Sequence, residues 1–230
     1  DLAQFKRWYS DAGTPRLSVT DAFEDGAYTL TFTQTTPATP GQDKKEPRVI
    51  PVAVGLLGPN GDEVRGTEML EMTQAEQSFT FEGLSAKPVP SILREFSAPV
   101  ILERETTNAE RAFLLAHDTD PFNRWEAGRA LARDTLLKMT TGDAAPDADY
   151  LDGLVRVMRD ETLDPAYRAL MLGLPGQSEL AGALAEQAED SPSQLRVNVT
   201  SPNGTTQAAL DVLMDEGDGF PALLNRAVAA

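Results

Sequence analysis

Two hydrophobic periods succeed each other along this chain, and the place where one yields to the other constrains the architecture more than any single residue does. From Pro15 to about Glu103 the period is two. Tyr28, Leu30 and Phe32 alternate with Thr29, Thr31 and Thr33, and Ile50, Val52, Val54 and Leu56 alternate with smaller or polar residues. Further strands are predicted at Leu17–Thr20, Thr67–Met72, Ser78–Phe81, Ser91–Phe96 and Pro99–Glu103, separated by turn chemistry such as Gly58-Pro59-Asn60-Gly61 and Glu82-Gly83. About seven strands in roughly 90 residues predict an immunoglobulin-like β-sandwich. The prolines at 37, 40, 47, 51, 88, 90 and 99 belong at strand ends, edges and connections, because proline cannot donate to a central ladder.

After Thr106 apolar residues recur three and four apart: Ala112, Leu115 and Ala116, then Trp125, Leu131, Leu136 and Leu137, then Leu151, Leu154, Val155 and Met158. Asp120-Pro121 and Asp164-Pro165 place an acid at a cap and proline in a first turn, and Gly142 and Gly173 stand where helices stop. Short helices on short loops predict antiparallel neighbours stacked as a bundle or solenoid. The fold class expected is therefore α+β and multi-domain, a sandwich followed by a helical segment, with the boundary between Glu103 and Asn108.

Residue chemistry argues against a self-contained active site. There is no cysteine, hence no disulfide, thiolate zinc site or cysteine nucleophile, and this fits a reducing, cytoplasmic setting. A catalytic zinc usually takes two or three imidazoles, and His117 is the single histidine. At a helix C-terminus a histidine interacts favourably with the dipole, and Asp118, Thr119 and Asp120 after it favour a turn and the next cap, so His117 is read as structural. Asp215-Glu216-Gly217-Asp218-Gly219 lacks the ligand spacing of a calcium loop and is read as a solvated loop. Asn198-Val199-Thr200 and Asn203-Gly204-Thr205 match the glycosylation sequon by chance. Trp8, Tyr9, Phe122 and Trp125 are read as packing residues rather than a ligand platform. Catalytic, cofactor-binding and metal residues are all expected to be none. A net charge of −16 disfavours nucleic acid and anionic lipid, and no apolar run or signal-peptide core is present, so neither nucleic acid nor membrane is an expected partner.

Four segments then carry a resemblance: DLAQFKRWYSDAGTP at 1–15, QTTPATPGQ at 34–42, KPVPSILREFSAPV at 87–100 and DTDPFNRWEA at 118–127, with a weaker fifth, LDPAYRALMLGLPGQSELA, at 163–181. In this order they resemble the bacterial aminopeptidase N family, zinc metallo-aminopeptidases of the thermolysin-like (gluzincin) group. The resemblance implies that residues 1–15 end a catalytic domain or form a linker, 16–104 are a β-sandwich domain, and 105–190 open a helical C-terminal domain. The resemblance does not extend over residues 191–230, which are left unassigned and expected to be helical with loops. It also implies that the H-E-x-x-H helix, the third zinc ligand and the G-A-M-E-N loop lie before Asp1. No catalytic or zinc residue is thus carried onto this sequence, and zinc belongs to the parent enzyme. The implied partners are the catalytic domain of the same polypeptide, against which Phe5, Trp8 and Tyr9 would pack, and the parent's peptide substrates. The implied role is to scaffold and help cap the active-site cavity. The alternative is a free-standing immunoglobulin-like binding module with a helical appendage, against which Asp1 without a start methionine fits a cut portion.

Overall fold

A computed structural model describes residues 2–141, 145 and 147–187. Asp1–Pro175 form one compact unit, and a second unit begins at Gly176. Gly142, the acidic run at 215–219, both sequons and residues 191–230 lie outside the described residues.

A short helix, α1 (Arg7–Ser10), precedes seven strands: β1 (Arg16–Glu24), β2 (Ala27–Thr35), β3 (Ile50–Leu57), β4 (Glu63–Met72), β5 (Glu76–Phe81), β6 (Val89–Ile92) and β7 (Ile101–Glu103). They form a four-stranded sheet in the order β5-β2-β1-β7 and a three-stranded sheet in the order β4-β3-β6. All neighbours are antiparallel except β1 and β7. Alternation dictates the packing: Leu17 and Val19 of β1 and Tyr28, Leu30 and Phe32 of β2 meet Ile50, Val52, Val54 and Leu56 of β3 in one buried core. Asp25-Gly26, both at positive φ, close β1 onto β2 with Glu24 opposite Ala27, a two-residue hairpin that the Asp-Gly pair alone could have announced.

The prolines behave as their chemistry requires. Pro51 lies in the middle strand of its sheet, but β6 pairs only with Val54–Leu57, so one side of the ladder is open at Pro51. Pro90 sits in the edge strand β6. One strand prediction needs correcting. Ser91–Phe96 is not a continuous strand, because β6 ends at Ile92, Leu93 turns left-handed (φ 60°), and a 3-10 turn follows over Arg94–Phe96. The left-handed backbone at Leu93 takes the chain out of the ladder, and the Arg94 side chain lies against the backbone of Gly55 in β3, where any Cβ would overlap its guanidinium.

Five further helices follow: α2 (Asn108–His117), α3 (Pro121–Thr141), α4 (Ala148–Arg159), α5 (Pro165–Met171) and, in the second unit, α6 (Gln177–Gln187). Their starts are chemical. The Thr107 hydroxyl accepts from the Glu110 N–H, Asp147 caps α4, and Asp164 caps α5 with proline in its first turn. Asp120 accepts from the Asn123 N–H at 2.8 Å, opening α3. Leu115, Leu131, Ala132, Tyr150, Val157 and Met171 form a second core, separate from that of the sandwich, with Trp125 and Tyr167 packed against it. No helix among the described residues is long and apolar enough to cross a membrane.

Candidate functional site

Two separate cores inside one compact unit need a joint, and that joint is polar. Arg94 is buried, pairs with Glu63 of β4 and with Asp118 at the end of α2 (3.3 Å), and donates to the Thr67 hydroxyl at 3.0 Å. The Asp118 carboxylate also accepts from the Asp120 N–H at 3.0 Å. Asp120 in turn accepts from the Glu95 N–H at 2.9 Å, and Asn123 donates to the Ser91 hydroxyl (2.9 Å) and the Ile92 carbonyl (2.8 Å). The segments 87–100 and 118–127, distant in sequence, thus interlock. Burial pushes the Asp118 carboxyl up, against the pull of the Asp120 N–H, Ser91 and Arg94. Beside it runs a cleft of about 280 Å³ lined by Ile92, Leu102, Arg104, Asp118, Asn123 and Glu126.

A second polar contact stands at the sandwich-to-helix connection. Arg104 pairs with Asp21 of β1 (3.3 Å) and with Glu110 in the first turn of α2, while Lys87 also reaches Asp21 at 2.6 Å. Burial tends to raise the Asp21 pKa, but Lys87 and Arg104 outweigh it and hold the carboxyl below its usual range. The same burial, with Asp21 nearby, pushes the Tyr28 phenol well up.

His117 ends α2 as its position predicts, yet its surroundings disfavour the cation that would serve the dipole. Burial, then the charges of Arg156 and Arg124, lower its pKa from 6.5. Its ring stacks at 4.8 Å on Phe113 and faces the β3–β4 turn, where Gly61 adopts φ 91° and any Cβ would overlap the imidazole. Two consequences are measurable. Gly61→Ala should cost about 2 kcal/mol, from left-handed backbone and from overpacking against His117, read as a lowered urea midpoint. A cost near zero would mean the turn moves freely. Because the folded pKa of His117 lies below 6.5, its contribution to stability is complete above pH 6.5 and declines as pH falls through the lowered value. Urea midpoints taken between about pH 5 and 7 should show that decline, reduced in His117→Gln. Equal slopes in the two proteins would contradict it.

The aromatic residues separate into two groups. Trp8 packs partly buried on the sandwich core and donates its indole N–H to the Val49 carbonyl at 2.7 Å, with Arg48 over its ring at 4.9 Å. Part of Trp8 is thus taken up by the sandwich itself, while Leu2, Phe5 and Tyr9 are the exposed large apolar residues of that arm. Phe122 and Trp125 belong to a different cluster, with Phe122 5.4 Å from Phe96 and 6.0 Å from Trp125. Arg48, fully buried, donates to the carbonyls of Asp11 (2.8 Å), Ala12 (3.5 Å) and Gly13 (3.2 Å). Gln42 accepts from the Ala12 N–H and donates to the Ser10 carbonyl, both at 2.8 Å. The arm is thereby clasped to residues 34–49, and this second interlock joins another two of the segments singled out in the sequence. Sequence patterning missed the burial of Arg48 and Arg94. The only signal for Arg94 was Gly55, a glycine inside a strand, which marks close approach by another group.

No group of three or more histidine, aspartate or glutamate side chains is placed to hold a metal ion among the described residues. What the arrangement does is hold two folded layers and an N-terminal arm in register.

This combination, an immunoglobulin-like sandwich locked to stacked helices, defines a class. A family model described as a domain of unknown function, DUF3458, with an Ig-like fold matches residues 13–105, and its companion, DUF3458_C, described as ARM repeats, matches residues 108–205. The chain belongs to the aminopeptidase N family and corresponds to a segment of it. It is 38% identical over 196 residues to aminopeptidase N of Escherichia coli (strain K12), a match covering 79% of this chain and 22% of that protein. It is 43% identical over 185 residues to aminopeptidase N of Caulobacter vibrioides, covering 79% of this chain and 21% of that protein. A crystal structure of Legionella pneumophila aminopeptidase A in complex with aspartic acid superposes with a TM-score of 0.68 at 26% identity, over 89% of this chain and 26% of that one. The chain spans about a fifth to a quarter of the length of these relatives.

Proposed function

We propose that this chain is the non-catalytic sandwich and first helices of a longer aminopeptidase N, which removes N-terminal amino acids from peptides by zinc-dependent hydrolysis. In this reading residues 1–15 link to the catalytic domain, 16–104 are the sandwich domain and 105–190 open the helical domain, with 191–230 left unassigned. The role is architectural: the sandwich spaces the helices from the catalytic domain, and the helices help cap the active-site cavity. Its partners are that catalytic domain and, through the whole enzyme, peptide substrates, in the cytoplasm. The described residues do not fit a catalytic zinc, since the one imidazole is packed into a turn and no ligand cluster accompanies it. The zinc is assigned to the rest of the parent.

The observation that carries the proposal is the polar joint. It fixes the helices on the sandwich through segments 87–100 and 118–127, two of those on which the resemblance rests. The test compares this 230-residue chain with the longer polypeptide from the same gene. The longer protein should hydrolyse aminoacyl p-nitroanilides and carry one zinc by elemental analysis, while the 230-residue chain should do neither. Activity or stoichiometric zinc in the short chain, or their absence from the long one, would sink the reading.

A further inference from the structure

Three residues out of four in a row, Leu93, Glu95 and Phe96, adopt left-handed backbone, with φ of 60°, 57° and 54°. Carbon-β sterics disfavour this region, most of all for bulky side chains, and such strain persists only where the surroundings over-determine it. Here they do: Arg94 is anchored on Glu63 and Asp118, the Glu95 N–H on Asp120, and the flanking Ile92 carbonyl on Asn123. The strained turn directs Phe96 outward, 60% exposed, with its ring edge-to-face on Phe122, itself 38% exposed. Neither ring belongs to either hydrophobic core. An apolar ridge displayed on strained backbone serves contact with a partner rather than the stability of this chain.

We infer that the Phe96–Phe122 ridge docks into an apolar pocket on the part of the same polypeptide outside these 230 residues. The inference rests on the reading of the chain as a portion of a longer enzyme. Two observations select that occupant. The chain matches only 21–24% of the length of its relatives, so most of such a polypeptide lies elsewhere. A second copy is disfavoured because each brings a net charge of −16 to the contact.

Hydroxyl-radical footprinting with mass spectrometry reads the exposure of both rings. In the longer polypeptide from the same gene, Phe96 and Phe122 should oxidise at least about fivefold more slowly than in the 230-residue chain, as water is excluded from an interface core. Phe96→Asn, which tolerates left-handed backbone and removes the ring, should leave the urea midpoint of the 230-residue chain unchanged or raised, and should restore Phe122 oxidation in the longer protein. Equal oxidation rates in a longer protein that is an active aminopeptidase would overturn the docking while leaving the functional reading intact. A longer protein without that activity would overturn the reading itself. Protection in the short chain that rises with its concentration would assign the ridge to a second copy and overturn the inference.

Discussion

Replacing Arg94 with alanine should cost about 3–5 kcal/mol of stability, the range found when one partner of a buried ion pair is removed and the other is left behind. The side chains concerned are 3% exposed for Arg94 and 0% for Asp118, so the abandoned carboxylate cannot recover its solvation without local opening. Geometry adds to the loss, because the guanidinium fills the space directly above Gly55. The exposed pair Arg16–Glu103, with side chains 47% and 41% exposed, is the internal control: Arg16→Ala should cost at most about 1 kcal/mol. Arg94→Ala should also loosen the coupling of the two cores, so that tryptophan fluorescence and circular dichroism no longer give coincident urea transitions. If Arg94→Ala costs no more than Arg16→Ala, the joint is not what holds the helices on the sandwich.

The contrast between these two arginines also shows what was legible in the sequence. β2 could be read because it buries one face, and alternation writes that face into Tyr28, Leu30 and Phe32, while β3 could be read from Ile50, Val52, Val54 and Leu56 although both its faces are buried. The caps at Asp120 and Asp164 could be read because their chemistry is local, an acid immediately before a proline at the first helical turn. Arg94 could not, since arginine reads as a surface residue and its partners Glu63 and Asp118 lie 31 and 24 positions away. For the same reason Ser91–Phe96 resembled a strand. It is a short run carrying Ile92, Leu93 and Phe96, and the left-handed backbone at Leu93 that ends the ladder is held by the distant partners of Arg94 and Glu95. His117 was legible in place and not in charge, because the groups that lower its pKa come from burial and from Arg156 and Arg124, which only the packed helices bring near. The segments that carry the family resemblance pair off in space, 1–15 with 34–42 and 87–100 with 118–127, so a likeness read as four strings is physically two interlocks.

The other interlock predicts the second large effect. Arg48 is fully buried without a carboxylate partner, its charge held by three backbone carbonyls of the arm and by the face of Trp8. Arg48→Ala removes the donors from the carbonyls of Asp11, Ala12 and Gly13 and opens a cavity beneath Trp8. Lost hydrogen bonds to a charged group are worth about 1.5–3 kcal/mol, and truncating a large buried side chain adds a cavity cost. A total of about 3–4 kcal/mol follows if the arm stays in place and carries the defect. Release of the arm is the cheaper response, because beyond the packing of Trp8 on the core, Gln4, Arg7 and Trp8 hold it to the sandwich through the carbonyls of Pro47, Val49 and Thr73. The variant should therefore lose less than that sum, while amide exchange at residues 6–13 accelerates to unprotected rates and Trp8 emission shifts to the red. Gln42→Ala, which removes the contacts to Ser10 and Ala12 but leaves Arg48, should produce the same changes in weaker form. An Arg48→Ala protein whose arm keeps native exchange protection would show that the clasp lies elsewhere, and that this buried charge is not what orders residues 2–14.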